Sequence, residues 1–171
     1  MRLTPIALSA AIALATMASA GHGQKPDDQI NPRSAALVQQ GQALVAAGQF
    51  QQATDMFESA LVVDPRNRAA YIGLARASQG QKLPGKAVKF YAEALKLEPN
   101  DVNALSGQGE ALVQRGAVER AKVNLEKVKK LCAAGCAQAT TLAAAIAKGP
   151  PPEVLTAQRT AVVPPPAAEK N

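Results

Sequence analysis

The feature that most constrains this 171-residue chain is a repeat in its central part. Residues 63–67, which read VDPRN, align with residues 97–101, which read LEPND, at an offset of 34 residues. The same offset relates three alanines, three large side chains and a set of smaller apolar ones: Ala53, Ala87 and Ala121; Phe57, Tyr91 and Leu125; Ala60, Ala94 and Val128. A period of 34 is typical of helix–turn–helix units that bury their apolar faces against one another. The chain is therefore predicted to be all-α.

These positions resemble the signature of the tetratricopeptide-repeat (TPR) family, over units 34–67, 68–101 and 102–135. The first unit supplies Leu37, Gly41, Leu44, Ala53, Phe57, Ala60 and Pro65, and the second Tyr71, Leu74, Ala75, Ala87, Tyr91, Ala94 and Pro99. The third supplies Leu105, Gly109, Leu112, Ala121, Leu125 and Val128, with Ala133 where the closing proline would stand. The resemblance implies a right-handed solenoid of three helix pairs.

The repeat pattern predicts helices over 34–47 and 50–63, 68–81 and 84–97, and 102–115 and 118–131. Gly41, Gly109 and Ala75 are small enough to allow close contact between paired helices, and large residues fill the space that they open. A further helix at about 137–148 has Leu142 and Ile146 on one face and is predicted to cap the open end. The alternative is a weakly ordered, alanine-rich helix with little area to bury.

The two ends of the chain differ from the repeats in composition. Residues 1–20 combine Arg2, an apolar run and a closing Ala18-Ser19-Ala20, which is typical of a secretory signal peptide cleaved after Ala20. An uncleaved N-terminal anchor is the alternative. Residues 21–33 are predicted to be a flexible linker, and residues 149–171, with two proline triplets, a Pro/Ala-rich disordered tail. The domain would then be 34–148, exported to the periplasm or secreted, without an integral membrane segment after cleavage.

Cys132 and Cys136 are the only cysteines of the chain. In an exported protein an even count favours a disulfide, and a four-residue separation in a helix places the Cα atoms within bridging range. We expect a structural disulfide that joins the last repeat to the capping helix. A thiol redox function of this pair is the alternative, but no thioredoxin-like pattern surrounds it.

The sequence offers little support for catalysis. The sole histidine, His22, lies outside the predicted domain, and no phosphate-binding glycine loop is present. We therefore expect neither an enzyme nor a bound cofactor or metal. Lysines cluster in the second helices of the last two repeats, but few aromatic residues accompany them, so nucleic acid is not predicted as a partner. Weak contact with anionic envelope surfaces, or attraction to acidic partners, is the preferred interpretation of this charge.

The TPR resemblance implies that the first helix of each pair lines a concave groove. The predicted peptide-binding residues are Val38, Gln42, Ile72, Arg76, Asn103, Ser106 and Glu110. The surface is mostly neutral, with Arg76 and Glu110 as orienting charges. Val38 and Gln42 replace the residues by which some TPR domains grip the C-terminal carboxylate of chaperones, so that activity is not expected. A groove that is merely solvated, or covered by the chain's own tail, is the other interpretation.

The hypothesis that follows is a periplasmic or secreted TPR adaptor that binds a peptide or protein partner and assists assembly of an envelope or pilus complex. Small bacterial TPR proteins of pilus assembly are similar in repeat arrangement. They commonly carry a lipid-attachment cysteine, which this sequence lacks near Ala20.

Overall fold

The structure is a computed structural model that describes residues 29–132 and 135–160. Over these ranges the chain forms helices and no strand. The helices are α1 (Pro32–Ala46), α2 (Phe50–Val63), α3 (Arg68–Gly80), α4 (Pro84–Leu97), α5 (Val102–Gln114), α6 (Val118–Leu131), α7 (Ala137–Lys148) and α8 (Pro152–Thr160). The predicted all-α class is confirmed.

Helices α1 to α6 pack as three consecutive pairs, and each pair stacks on the next. Helix α7 packs on α5 and α6, where the first helix of a fourth pair would lie. This arrangement is the predicted solenoid of helix pairs with a helix at its C-terminal end. None of the helices in the described ranges is long and apolar enough to cross a bilayer.

The first helix of every pair begins at an Asn or Asp whose side chain accepts a backbone hydrogen bond. Asn31 accepts from Arg33 N at 2.9 Å, Asn67 from Ala70 N at 3.4 Å, and Asp101 from Ala104 N at 2.8 Å. These oxygens satisfy amide groups that have no partner within the helix. Asn67 and Asp101 are separated by the 34-residue repeat offset, whereas Asn31 lies 36 residues before Asn67, so α1 starts two residues earlier than the repeat predicts.

Two of the caps also tie neighbouring repeats together. Asn67 Nδ2 donates to Ser34 Oγ at 2.7 Å, and Ser34 Oγ donates to the carbonyl oxygen of Ala60 at 2.7 Å. One repeat later, Arg68 Nε lies 2.9 Å from Asp101 Oδ2. Each tie joins the start of one first helix to the start of the next, which fixes the spacing of the repeats.

Aromatic rings packed on glycines fill the space between repeats. A Cβ atom added at Gly41 or Gly73 would lie 2.6 or 2.3 Å from Phe57 Cε1, and one at Gly107 would lie 2.3 Å from Tyr91 Cζ. Gly41 therefore allows the close approach to α2 that was predicted. The role predicted for Gly109 differs, because its space is filled by Leu142 of α7 and not by its paired helix.

The structure corrects two predicted boundaries at the ends of the domain. Helix α1 begins at Pro32, inside the predicted linker, because Asn31 caps it and a proline suits its first position. Residues 152–160, predicted to be part of a disordered tail, form α8, which starts at Pro152 and has Glu153 in its first turn. The predicted signal peptide and residues 161–171 lie outside the described residues.

Candidate functional site

Two adjoining cavities lie on the face formed by α1, α3, α5 and α7. The first has a volume of about 300 Å³ and is lined by Gln42, Val45, Phe57, Arg68, Ala69, Ile72, Gly73, Arg76, Asp101 and Asn103. The second has a volume of about 330 Å³ and is lined by Arg76, Gln79, Tyr91, Asn103, Ser106, Gly107, Glu110, Ala137, Gln138 and Thr141. Since Arg76 and Asn103 line both, the cavities form one continuous surface, which we call the groove.

All but one of the predicted binding residues lie in this groove: Gln42, Ile72, Arg76, Asn103, Ser106 and Glu110. Val38 does not, and its assignment to the groove is wrong. Its side chain is 4% exposed and belongs to the core cluster that contains Phe57 and Leu74. Burial of this aliphatic side chain removes apolar surface from water, which stabilises the fold.

The floor of the groove is formed by residues that the sequence did not single out for binding. Phe57 and Gly73 lie beneath the first cavity, and Tyr91 and Gly107 beneath the second. Because the glycines carry no side chain, the aromatic residues of the preceding pair pack directly beneath the groove, with Phe57 0% and Tyr91 2% exposed. A signal was available: Gly73 and Gly107 are 34 residues apart, as are Arg76 and Glu110.

The Tyr91 hydroxyl is the central polar group of the second cavity. It donates a hydrogen bond to Gln79 Oε1 at 2.9 Å. Burial raises the pKa of Tyr91 to about 12; the charge of Glu110 also raises it, while the charge of Arg76 and a hydrogen bond with Arg76 lower it. The hydroxyl is therefore protonated at neutral pH and can donate to Gln79.

Helix α7 forms the wall at the C-terminal end of the groove. Gln138 Nε2 donates to Asn103 Oδ1 at 2.9 Å, and Ser106 Oγ donates to the carbonyl oxygen of Gln138 at 3.0 Å. Ser106 Oγ also lies 3.3 Å from Glu110 Oε1. The capping helix thus contributes directly to the site, in addition to closing the core. Only the closing of the core was predicted from the sequence.

The cysteines lie at the junction of α6 and α7, outside both cavities. The sulfur atoms of Cys132 and Cys136 are at bonding distance, and their Cα atoms are 5.7 Å apart. Both side chains pack against the core cluster that contains Leu142. This placement fits a structural bridge between α6 and α7, and the disulfide stays a prediction.

The sequence matches a family model and a relative in Escherichia coli. The family model, described as tetratricopeptide repeat, matches residues 38–102 and 79–122. Cellulose synthase operon protein C of Escherichia coli (strain K12) is 38% identical over 87 residues. That alignment covers 51% of this chain and 7% of the relative, so the chain spans only a small fraction of the relative's length.

Solved structures show the same fold at low sequence identity. The first TPR of Spaghetti (RPAP3), bound to HSP90 peptide SRMEEVD, has a TM-score of 0.62 and 23% identity, over 68% of this chain and 91% of that one. PcrH of Pseudomonas aeruginosa, in complex with the chaperone binding region of PopB, has a TM-score of 0.58 and 22% identity, over 73% of this chain and 97% of that one.

Proposed function

Because the chain belongs to the tetratricopeptide-repeat family, we propose that it is an adaptor that binds a peptide segment of a partner protein in its groove. The observation that carries this proposal is the continuity of the two cavities across three repeats and α7. A folded domain of this family acts typically as an interaction scaffold and not as an enzyme. The chemistry of the groove suits that role.

The two cavities offer different contacts to a peptide. Val45, Phe57 and Ile72 give the first cavity an apolar wall that accepts an aliphatic side chain. The second is lined by amides and hydroxyls that can pair with a peptide backbone, with Arg76 and Glu110 as opposite charges. A segment that places an aliphatic residue in the first cavity and its polar backbone in the second would satisfy both.

Related folds support a peptide ligand. The Spaghetti repeat domain is bound to an HSP90 peptide, and PcrH is in complex with the chaperone binding region of PopB. In each case the bound partner is a segment of another protein. We propose a ligand of the same kind for this chain, without assigning either of those partners to it.

We further propose that the adaptor works in the periplasm, or after secretion, in assembly of an envelope or pilus complex. The support is the signal-peptide pattern of residues 1–20. N-terminal sequencing of the protein from cell envelopes should give Gly21 as the first residue. A chain that retains Met1 to Ala20 in the cytoplasm would overturn the proposed location.

Affinity capture from envelope extracts tests the binding role of the groove. The test variant is Arg76→Glu with Glu110→Arg, which exchanges the two charges of the second cavity. The control is Glu58→Arg with Lys89→Glu, which exchanges an acid and a base on exposed positions of α2 and α4, outside the groove. Both variants keep the net charge of the chain, and circular dichroism verifies that both fold.

The proposal predicts that the wild type and the control recover the same partner, and that the groove variant recovers at most about a tenth as much, a loss typical of a central charged contact. Recovery of the partner in equal amounts by all three proteins would show that these charges take no part in recognition.

A further inference from the structure

Helix α6 carries two exposed stripes of side chains, and none of its residues lines the groove. One stripe consists of Glu119, Lys122, Glu126 and Lys129, which we call the paired stripe. The other consists of Arg120, Val123, Lys127, Lys130 and Leu131, which we call the cationic stripe. Spacings of three and four residues place the members of each stripe on one side of the helix.

Charges in the paired stripe neutralise one another. Lys122 Nζ lies 2.7 Å from Glu119 Oε1, and Lys129 Nζ lies 2.9 Å from Glu126 Oε1. Each pair spans one turn of the helix. This side of α6 therefore presents little net charge to an approaching surface.

The cationic stripe has a different composition. Arg120, Lys127 and Lys130 are exposed, and the sequence of the stripe contains no acid. Two aliphatic side chains belong to the same stripe, with Val123 57% exposed and Leu131 42% exposed. The buried face of α6 is formed by Ala121, Asn124, Leu125 and Val128, so the stripe is not needed for the core. The described chain thus carries an exposed surface that is both cationic and aliphatic.

We propose that the cationic stripe of α6 binds the surface of an anionic phospholipid bilayer. Lysine and arginine near such a surface are attracted by its negative potential, and aliphatic side chains enter the boundary between headgroups and acyl chains. Three cations and two aliphatic residues give weak, reversible, salt-sensitive binding. The stripe lies outside the groove, so a bound adaptor keeps the groove accessible to a partner.

The chemistry of the stripe favours lipid over nucleic acid. Proteins that bind single-stranded nucleic acid add aromatic side chains on which bases stack. The apolar side chains of the stripe are Val123 and Leu131. An aliphatic side chain has no planar face on which a base can stack. The second helix of the first repeat, α2, carries the acids Asp55 and Glu58 and no base. Among the second helices, positive charge is therefore confined to those of the later repeats.

Vesicle sedimentation with the purified protein tests the proposal. Vesicles of phosphatidylglycerol and phosphatidylcholine should bind the protein, and vesicles of phosphatidylcholine alone should not. The test variant is Lys127→Gln with Lys130→Gln. The matched control is Lys122→Gln with Lys129→Gln, which removes the same number of charges from the same helix.

The partition coefficient of the test variant on the anionic vesicles should fall about thirtyfold, because each cation near the surface contributes about 1 kcal/mol of attraction. The control should fall much less, because the charges that it removes lie on a different side of the helix, farther from the bilayer surface, where salt screens them. An equal fall in both variants would mean that binding follows net charge alone, and would overturn the assignment to this stripe.

A second pair of variants tests the aliphatic contribution. Val123→Ser with Leu131→Ser should weaken vesicle binding at constant charge, whereas Val62→Ser, at a position 85% exposed on α2, should leave it unchanged. A parallel titration with single-stranded DNA distinguishes the other polyanion. Binding to DNA without binding to anionic vesicles, or no effect of the two serine substitutions, would contradict the proposal.

Discussion

At the residue scale, the fold depends on a few positions where an aromatic ring packs against a glycine. Phe57 is fully buried between glycines of its own pair and of the next, and Tyr91 lies on Gly107 in the same way. These contacts set the distance between repeats. They also bring both aromatic residues to the floor of the groove, so packing and the candidate site share the same residues.

Gly73→Ala should destabilise the protein, because its Cβ would lie 2.3 Å from a ring carbon of Phe57, so the buried ring would have to shift. We expect a loss of about 1–3 kcal/mol in the free energy of unfolding, measured by urea denaturation. Gly85→Ala is the control, since its Cβ would meet nothing within 4 Å. Equal stability of the Gly73 variant and the wild type would contradict the packing described.

Tyr91 should make stability fall at high pH. Its pKa in the folded protein is about 12 and its ordinary value is 10.0, so the unfolded chain loses this proton first. The contribution of Tyr91 to the free energy of unfolding is fully present below a pH of about 10 and is lost as the pH rises toward about 12. Urea denaturation over this range should show a steeper fall for wild type than for Tyr91→Phe. Parallel curves would refute the assigned shift.

The limits of sequence reasoning are clearest at Val38 and Ile72, which occupy the same repeat position. Ile72 lines the groove, whereas Val38 lies in the core at the first pair. A repeat pattern gives both residues the same environment. The period carries no information on how deeply each side chain is buried, so it cannot distinguish the two positions.

At the element scale, each pair is built from the same two devices. The first helix begins at an Asn or Asp cap, and the turn to the second helix passes through a left-handed residue: Gly48, Lys82 or Gly116. The sequence predicted these six helices well because cap, turn and apolar period agree. It missed α8 because proline triplets suggest extended chain, although a proline also fits the first turn of a helix.

Lys82→Gly should stabilise the protein. Lys82 has φ of 58°, a left-handed conformation that is unfavourable for a residue with a Cβ, while the equivalent positions are glycine. After subtraction of the entropy cost of glycine, we expect a gain of about 0.5–1 kcal/mol in the free energy of unfolding. Lys86→Gly, inside helix α4, should lose stability and serves as the opposite control in the same thermal unfolding assay. A loss for Lys82→Gly would refute the turn geometry.

Replacing both cysteines by serine should loosen the attachment of α7. Loop-closure entropy for a bridge across about five residues predicts a loss of about 2 kcal/mol in the free energy of unfolding. A thiol reductant should lower the wild type to the level of the double variant and leave that variant unchanged. If thiol titration of the denatured, unreduced protein finds both cysteines free, the predicted disulfide is wrong.

At the scale of the whole molecule, the solenoid separates two surfaces. The groove is formed by α1, α3, α5 and α7, while the cationic stripe of α6 lies outside it. The repeat allowed the sequence to assign the solenoid, and six of the seven predicted binding residues line the groove. It could not assign the contribution of α7, since Gln138 reaches Asn103 only through the packing of the capping helix on α5.

Binding of a peptide in the groove can be followed by NMR, from the amide chemical shifts during titration with the captured partner's peptide. We expect shift changes centred on Gln42, Ile72, Arg76, Asn103 and Gln138, with the exposed residues of α2 and α6 unaffected. Shift changes confined to α2, α4 or α6, with the groove residues unchanged at saturation, would contradict it.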